Sequence, residues 1–401
     1  MIRPRSLRTV ALLVETSRAY GRGILRGIAR YARTQGRWSI LFQDWQLEDP
    51  LPSWLGKGRC DGVIAHITTA ASLRTLRRLG IPTIGVGQAR PAGDIVTVNN
   101  DNRLTVQLAV DHLRERGLRH FAYCGFAGVD YSVQRRDYFV SYLNTHHYRP
   151  RIYEGKAKYG MSKLRRRESA ELLYERELAS WLVGLPKPAG LLACNDIRGR
   201  QVLNACRVRG IAVPDQLAVI GVDNDELLCQ LADPPLSSVI LATERIGYEA
   251  AALLESLMSG HPPSARDLCI EPVGVATRLS SDVLAVQDQR VAEACRFIRQ
   301  HACEGISVED ILDRLCAGDA PVVSRSTLEH RFRENLGRSP KEEILRVRLG
   351  RIQQLLVDTD WPLFKIAAHV GIDHVQYLSA FFKAKMGQTP GEFRKRRRLH
   401  P

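Results

Sequence analysis

Between residue 7 and about residue 280 the chain alternates short apolar runs with longer stretches in which apolar positions recur every three or four residues. Thr9–Val14, Ser39–Phe42, Gly62–Ala65, Thr83–Val86, Ile95–Val98, His120–Cys124, Gly190–Cys194 and Leu217–Val222 have the length and composition of buried strands. Gly21–Gln35, Leu104–Arg116, Val133–His146, Arg198–Arg209 and Glu244–Met258 read as helices. Strands and helices in alternation call for crossover connections, and hence for parallel sheets. A rhythm sustained over about 270 residues suits two doubly wound lobes better than one large sheet. The last strand-like segment is Cys269–Val275, and the polar Leu279-Ser280-Ser281-Asp282 follows it, so a linker is expected over 281–289. Beyond it helix follows helix. The expected architecture is a two-lobed α/β domain over 7–280 joined to an all-α domain over 290–401.

Charge narrows the choice of partner. The 401 residues include 58 Lys+Arg and 43 Asp+Glu, a net of +15, which favours a polyanion. No stretch reaches the roughly 20 apolar residues of a membrane span, so no membrane partner is expected. Residues 290–401 hold 20 Lys+Arg against 14 Asp+Glu and end in Arg394-Lys395-Arg396-Arg397-Arg398, yet the rest of the chain is basic too. Charge alone does not mark a DNA-binding end. The basic start imitates a secretory leader, but its apolar run stops at Glu15 and reads as a first strand. Nine cysteines, an odd number with no CxxC, point to reduced thiols in a cytoplasm. Cys295, His301 and Cys303 lack an ordinary zinc spacing, and no metal or cofactor is expected.

The most specific signal lies near the C-terminus. In Ile366-Ala367-Ala368-His369-Val370-Gly371-Ile372 a small residue stands where two helices must cross, and a glycine four residues on permits a left-handed turn. Ile366, Val370, Ile372, Leu378 and Phe382 would form the small core of a helix-turn-helix unit. Its second helix would present His374, Val375, Gln376, Ser379, Ala380 and Lys383 to a major groove, with Gln376 as the best base reader. Upstream, Val308–Leu315 and a helix capped by Ser324 repeat the theme, and Ser339 to Leu356 reads as one long connecting helix. Two readers on one spacer would meet successive turns of one DNA face.

Gly371, Phe382-Lys383, Gly387-Gln388-Thr389-Pro390 and Phe393-Arg394, with Gly337-Arg338-Ser339-Pro340 and Arg348 to Leu356, resemble the AraC/XylS family of DNA-binding domains over about 290–398. The resemblance implies that Arg325, Ser326, Glu329 and His330 face bases or phosphates from the first recognition helix. One departure stands out. The first turn holds seven residues, Cys316 to Val322, where that family usually has little more than a glycine.

In the first 280 residues Gly21-Arg22-Gly23-Ile24-Leu25-Arg26-Gly27 imitates a dinucleotide loop but has the wrong glycine spacing, and no catalytic motif appears. An enzyme is therefore not expected. Polar groups do gather at strand ends: Asp101, Arg135, Asn195 and Asp223. Ligands of open α/β sheets bind beyond the carboxyl ends of strands, and such groups can each hold neighbouring hydroxyls of a sugar. Trp45 would supply an aromatic floor. Each of these residues has a plainer alternative, as a helix cap or a solvated loop side chain.

Val98, Asp101, Leu104 and His112-Leu113, then Leu191, Asn195-Asp196, Val219-Ile220-Gly221-Val222-Asp223-Asn224-Asp225 and Pro235-Leu236-Ser237-Ser238-Val239, resemble the ligand-binding domain of LacI/GalR-type repressors and periplasmic sugar-binding proteins. By that resemblance Asp101, Arg135, Asn195 and Asp223 fall where the effector is held. The first strand follows within a few residues of Met1, so the usual N-terminal DNA headpiece is expected to be missing. Sensor before reader, with His301-Ala302-Cys303-Glu304-Gly305-Ile306, is similar to the xylose operon regulators. That resemblance implies a sugar-responsive transcription factor, an activator induced by a pentose, with xylose the expected one, acting as a homodimer with operator DNA and RNA polymerase. A regulator of another sugar, a solute-binding protein or an enzyme fused to a basic helical module remain the alternatives.

Overall fold

The computed structural model describes residues 7–35, 38–43, 50–56, 58–67, 69–87, 95–155, 176–261, 266–282, 288–316 and 323–398. The chain divides into two compact units, Met1–Val283 and Leu284–Pro401.

Two six-stranded sheets organise the first unit. The first lobe contains β1 (Arg8–Leu13), β2 (Trp38–Phe42), β3 (Gly62–His66), β4 (Thr83–Val86), β5 (Val96–Asn100) and β11 (Asp267–Ile270). Its order is β11-β5-β4-β3-β1-β2, parallel throughout. The second lobe holds β6 (His120–Phe126), β7 (Arg151–Gly155), β8 (Ala189–Ala193), β9 (Leu217–Val222), β10 (Ser237–Ile240) and β12 (Gly274–Ala276). Here the order is β12-β10-β9-β8-β6-β7, parallel except for the antiparallel edge β12. Strands β4 and β9 coincide with the expected runs, since unbroken burial on both faces gives a parallel strand a continuous apolar signature.

Around the sheets lie α1 (Ala19–Thr34), α2 (Ala70–Leu79), α3 (Asn102–Arg114), α4 (Asp130–Thr145), α5 (Arg176–Val183), α6 (Asp196–Arg209), α7 (Glu226–Gln230) and α8 (Thr243–Met258). The chain passes between lobes three times: from β5 into α3, from β10 into α8, and from β11 to β12. That last passage corrects the single strand expected over Cys269–Val275. Ile270 still pairs with Asn100 in one sheet, while Gly274 pairs with Ile240 in the other, and Pro272 between them has no N–H to donate. The stretch expected to open the linker also differs. Ser280 and Ser281 are fully buried: Ser280 donates to the Val219 carbonyl at 2.7 Å, and Ser281 meets His112 Nε2 at 2.7 Å. Hydroxyls satisfied inside a fold look the same in sequence as hydroxyls in solvent.

The glycines that imitated a nucleotide loop pack α1 onto α8. A Cβ on Gly27 would stand 2.0 Å from the Glu244 carbonyl oxygen, and one on Gly247 would stand 2.0 Å from the Ile24 carbonyl oxygen. Only bare backbone permits that approach.

The second unit is helical: α9 (Gln289–His301), α10 (Val308–Cys316), α11 (Arg325–Leu336), α12 (Pro340–Asp358), α13 (Leu363–His369), α14 (Val375–Met386) and α15 (Pro390–Arg398). Two apolar cores form on the long α12, which begins at a complete capping box between Ser339 and Glu342. The first joins Ile298, Ile311, Leu315, Leu328 and Phe332; the second joins Ile366, Val370, Ile372, Leu378 and Phe382.

Candidate functional site

Each polar residue expected in the cleft of the first unit lies just beyond a strand or in the turn of helix facing it, and local chemistry fixes each one. Asp101 follows β5 and caps α3, its Oδ1 accepting the Leu104 N–H at 2.9 Å. It therefore stands on a crossover between lobes. Asn195 follows β8 and caps α6: its Oδ1 accepts the Arg198 N–H and its Nδ2 donates to the Tyr131 hydroxyl, both at 2.9 Å. The capping role that sequence offered as the plainer reading is present in both, and in Asn195 it leaves the amide nitrogen aimed at Tyr131.

Arg135 on α4 is fully buried. Its Nε donates to Asn102 Oδ1 at 2.9 Å and its Nη1 to the Cys194 carbonyl, while the Tyr131 ring lies 5.3 Å from the guanidinium. Among the described residues Nη2 has no hydrogen-bond partner, although Asp223 Oδ1 stands 3.8 Å away. A buried donor left open beside a carboxylate is costly unless a third group completes it. A ligand hydroxyl can do so, because it both accepts and donates.

Asp223 follows β9 at φ 108°, a conformation costing an aspartate about 1–3 kcal/mol. Three backbone N–H donors hold the turn: Asp223 N–H to the Val239 carbonyl (3.1 Å), Asn224 N–H to Ser238 Oγ (3.0 Å) and Asp225 N–H to Asp196 Oδ2 (2.8 Å). Burial pushes the Asp223 carboxyl up to about 6, against the pull of Arg135 and Arg18. Burial and then the charge of Asp223 push the neighbouring Asp196 up to about 8. Asp225 reaches across to the other lobe, where its Oδ2 accepts the Ala19 N–H at the start of α1 (3.2 Å) and lies 3.7 Å from Arg22.

Sequence reasoning missed the wall opposite. Glu15 ends the first strand segment and is almost fully buried, with Ser17 donating to its Oε1 and Arg18 Nε 3.6 Å from its Oε2. Tyr20 donates to Asn100 Oδ1 at 3.3 Å, Asn100 Nδ2 donates to Asn102 Oδ1 at 2.7 Å, and that oxygen also receives Arg135. A continuous chain of hydrogen bonds thus runs from the first lobe through the crossover to the guanidinium. Burial raises the Tyr20 hydroxyl well above its ordinary range, and the charge of Asp223 adds to it. His66 ends β3, its ring 6.4 Å from that of Tyr20. The rule that pointed to Asp223, a polar residue directly after a strand, would have pointed to Glu15 and His66. Trp45 lies outside the described residues. Trp54 and Trp181 pack on the apolar cores of the first and second lobes.

In the second unit, α13, a turn with Gly371 at φ 65° and α14 make the expected helix-turn-helix. A Cβ on Gly371 would also lie 2.5 Å from the Gly305 nitrogen, so the turn needs glycine for two reasons. His374, Gln376, Ala380 and Lys383 are exposed and Ser379 is half-buried. Val375 packs against the core, so only part of it is available at the surface. Tyr377, not anticipated, is half exposed and stacks on Phe381.

The first unit of the pair places Arg325, Ser326 and His330 on the exposed face of α11, with Glu329 half-buried. Ser324 caps α11 as expected, accepting the Thr327 N–H at 3.2 Å. Arg325 pairs with both Glu309 and Glu329, and His330 lies 3.3 Å from Glu334. Of the unusual turn, residues 317–322 lie outside the described residues.

No helix among the described residues is long and apolar enough to cross a membrane. Three family models match in sequence: an XylR N-terminal domain over 9–95, a periplasmic binding protein-like domain over 110–281 and a helix-turn-helix domain over 320–396. The chain is 33% identical to the xylose operon regulatory protein of Haemophilus influenzae, covering 96% of this chain and 97% of that one. It is 31% identical to the protein of the same description from Escherichia coli K12, covering 96% of each. Among solved structures, the xylose-binding transcription activator xylR superposes with a TM-score of 0.68 at 30% identity, over 98% of each chain. With the two-lobed cleft and the paired helix-turn-helix units in place, the chain belongs to the xylose operon regulatory protein family, DNA-binding transcription regulators that respond to a sugar.

Proposed function

We propose that this regulator binds a free pentose, xylose, between the lobes of its first unit and activates transcription from an operator read by its second. The observation that carries the reading is the buried Arg135 Nη2, open among the described residues and 3.8 Å from Asp223. A sugar hydroxyl accepts from that nitrogen while donating to the carboxylate. Asn195 reaches Tyr131, whose ring lies against the Arg135 guanidinium, Asp101 precedes Asn102, which accepts from Arg135, and Trp45 is the candidate floor. The names of the full-length relatives supply the pentose.

Sugar and DNA strengthen each other by the same factor, since each favours one state of the chain. On DNA, α14 reads bases through Gln376 with His374, Val375, Ser379 and Ala380 around it, and Lys383 neutralises phosphate. Arg325, Ser326, Glu329 and His330 make the second set of contacts. The regulator works in the cytoplasm, as a homodimer that recruits RNA polymerase, and catalyses no reaction.

The test is titration of operator DNA with and without xylose. Xylose is expected to tighten binding of the wild type, and operator DNA to tighten xylose by an equal factor; no mutual effect would refute the reading. Gln376→Ala is expected to cost about 1–3 kcal/mol on operator DNA and to relax one base preference. A uniform loss on all DNA would remove Gln376 from base reading.

A further inference from the structure

The wall of the cleft opposite Arg135 holds a second open polar atom. His66 sits at the carboxyl end of β3, and among the described residues its buried Nδ1 has no hydrogen-bond partner. The other ring nitrogen is committed: Nε2 turns toward Gly87, where a Cβ would stand only 2.6 Å from it, and the ring donates to the Gly87 backbone. Burial, with the charge of Arg18 adding to it, holds the imidazole pKa down to about 4, so the ring is neutral at ordinary pH. A neutral ring whose Nε2 carries the proton presents a bare lone pair at Nδ1.

Its neighbours tie that ring to the network around Arg135. The Tyr20 ring is adjacent, and Tyr20 begins the hydrogen-bond chain that ends on Arg135. Arg18 acts electrostatically on both His66 and Asp223. One wall therefore offers an acceptor at His66 Nδ1, and the other a donor at Arg135 Nη2.

A hydroxyl donates to the first and accepts from the second, so a neutral polyol satisfies both. A phosphate or carboxylate group satisfies only the donor and would meet the His66 lone pair with its own. The cations nearby are already answered, Arg18 by Glu15 at 3.6 Å and Arg135 by Asp223 at 3.8 Å, which leaves little attraction for an added anion. Resting on the sugar-clamp reading above, we propose that His66 is a specificity-determining residue that accepts a hydroxyl of the effector and selects a free sugar over its phosphorylated form.

Calorimetric titration of the full chain with xylose and with xylose 5-phosphate tests this in the wild type, His66→Asn and His66→Leu. An asparagine Oδ1 can stand where Nδ1 stands, whereas leucine fills the space without an acceptor. The wild type is expected to bind xylose at least tenfold more tightly than the phosphate. His66→Asn should stay within about threefold of the wild type for xylose, and His66→Leu should lose about tenfold. Melting temperatures of the three free proteins report whether leucine merely disturbs the lobe, and non-specific DNA binding confirms an intact second unit. The proposal is overturned if His66→Leu binds xylose like the wild type, if asparagine loses as much as leucine, or if the phosphate binds as well as the sugar. Failure of the wild type to bind either compound would instead break the sugar clamp itself, and the role of His66 with it.

Discussion

The two units of this chain keep their proposed functional groups in opposite environments. In the sensor, Arg135, Asn195 and Asp196 are buried and held by partners two or three at a time. In the reader, Gln376, Ala380, Lys383 and His330 stand in solvent on a scaffold whose cores are small and apolar. A sensor must complete its hydrogen bonds with a ligand inside a low-dielectric cleft, so it holds polar atoms ready there. A reader meets a solvated polyanion and needs only a rigid face. Damage to the sensor site should therefore appear in stability as well as in binding, while damage to the reader face should appear in binding alone unless it reaches the scaffold.

The largest effect that would break this contrast is at Arg135. Replacing it with leucine strands the Asp223 carboxylate and opens the bonds to Asn102 and the Cys194 carbonyl, at a cost of about 3–5 kcal/mol to the sensor. Thermal unfolding should show the sensor transition lowered and the xylose response gone, with non-specific DNA binding unchanged. A variant that loses the sugar but keeps its melting temperature would put Arg135 outside the structural network.

Next comes Gly371→Val, which attacks the reader through its scaffold. A side chain at φ 65°, 2.5 Å from the Gly305 nitrogen, should cost about 3 kcal/mol and abolish operator binding while xylose affinity stays as it was. Retained operator binding would mean that the turn tolerates a Cβ.

The smallest expected effect is a pH slope confined to the sensor. Asp223 and Asp196 have pKa values raised to about 6 and about 8 in the fold and bind extra protons there, while His66 and His112, whose imidazoles burial holds far below their ordinary range, give up theirs below about pH 6.5, so the net excess in the folded state lies between about pH 6.5 and pH 8. Sensor stability therefore falls as pH rises through that window, by at most about 1.4 kcal/mol per unit, as the Asp196 carboxyl gives up its proton. Asp196→Asn should flatten the decline seen in melting curves. A decline that persists unchanged would assign it to other groups.

Legibility in sequence followed the same division. The reader could be found because its determinants are local: Ala367, Gly371 and the apolar positions around them lie within one stretch of chain, and their spacing states the turn. In the sensor the strands were legible as apolar runs, but the site is assembled from residues up to two hundred positions apart. Glu15 and His66 carry the same local mark as Asp223, a polar residue closing a strand run, whereas Tyr20 escaped notice because nothing near it in sequence records that Asn100 lies close by. Ser280 and Ser281 misled for a related reason, since polarity reports on solvent only when no partner is folded against it. The glycines of α1 announced a close approach without saying to what.

The three passages between the lobes have a consequence for how the protein is made. The first lobe is not a continuous piece of chain: α1 is complete at Thr34, but α8, the helix its glycines fit, begins at Thr243, and the edge strand β11 at Asp267. At about 5–20 residues per second a ribosome needs roughly 10–40 s to deliver α8 after α1 has emerged. Until then the groove of α1 lacks α8, and β5 waits longer still for β11. The helical unit arrives last and whole. A truncation anywhere before β11 would leave the first lobe without its closing strand.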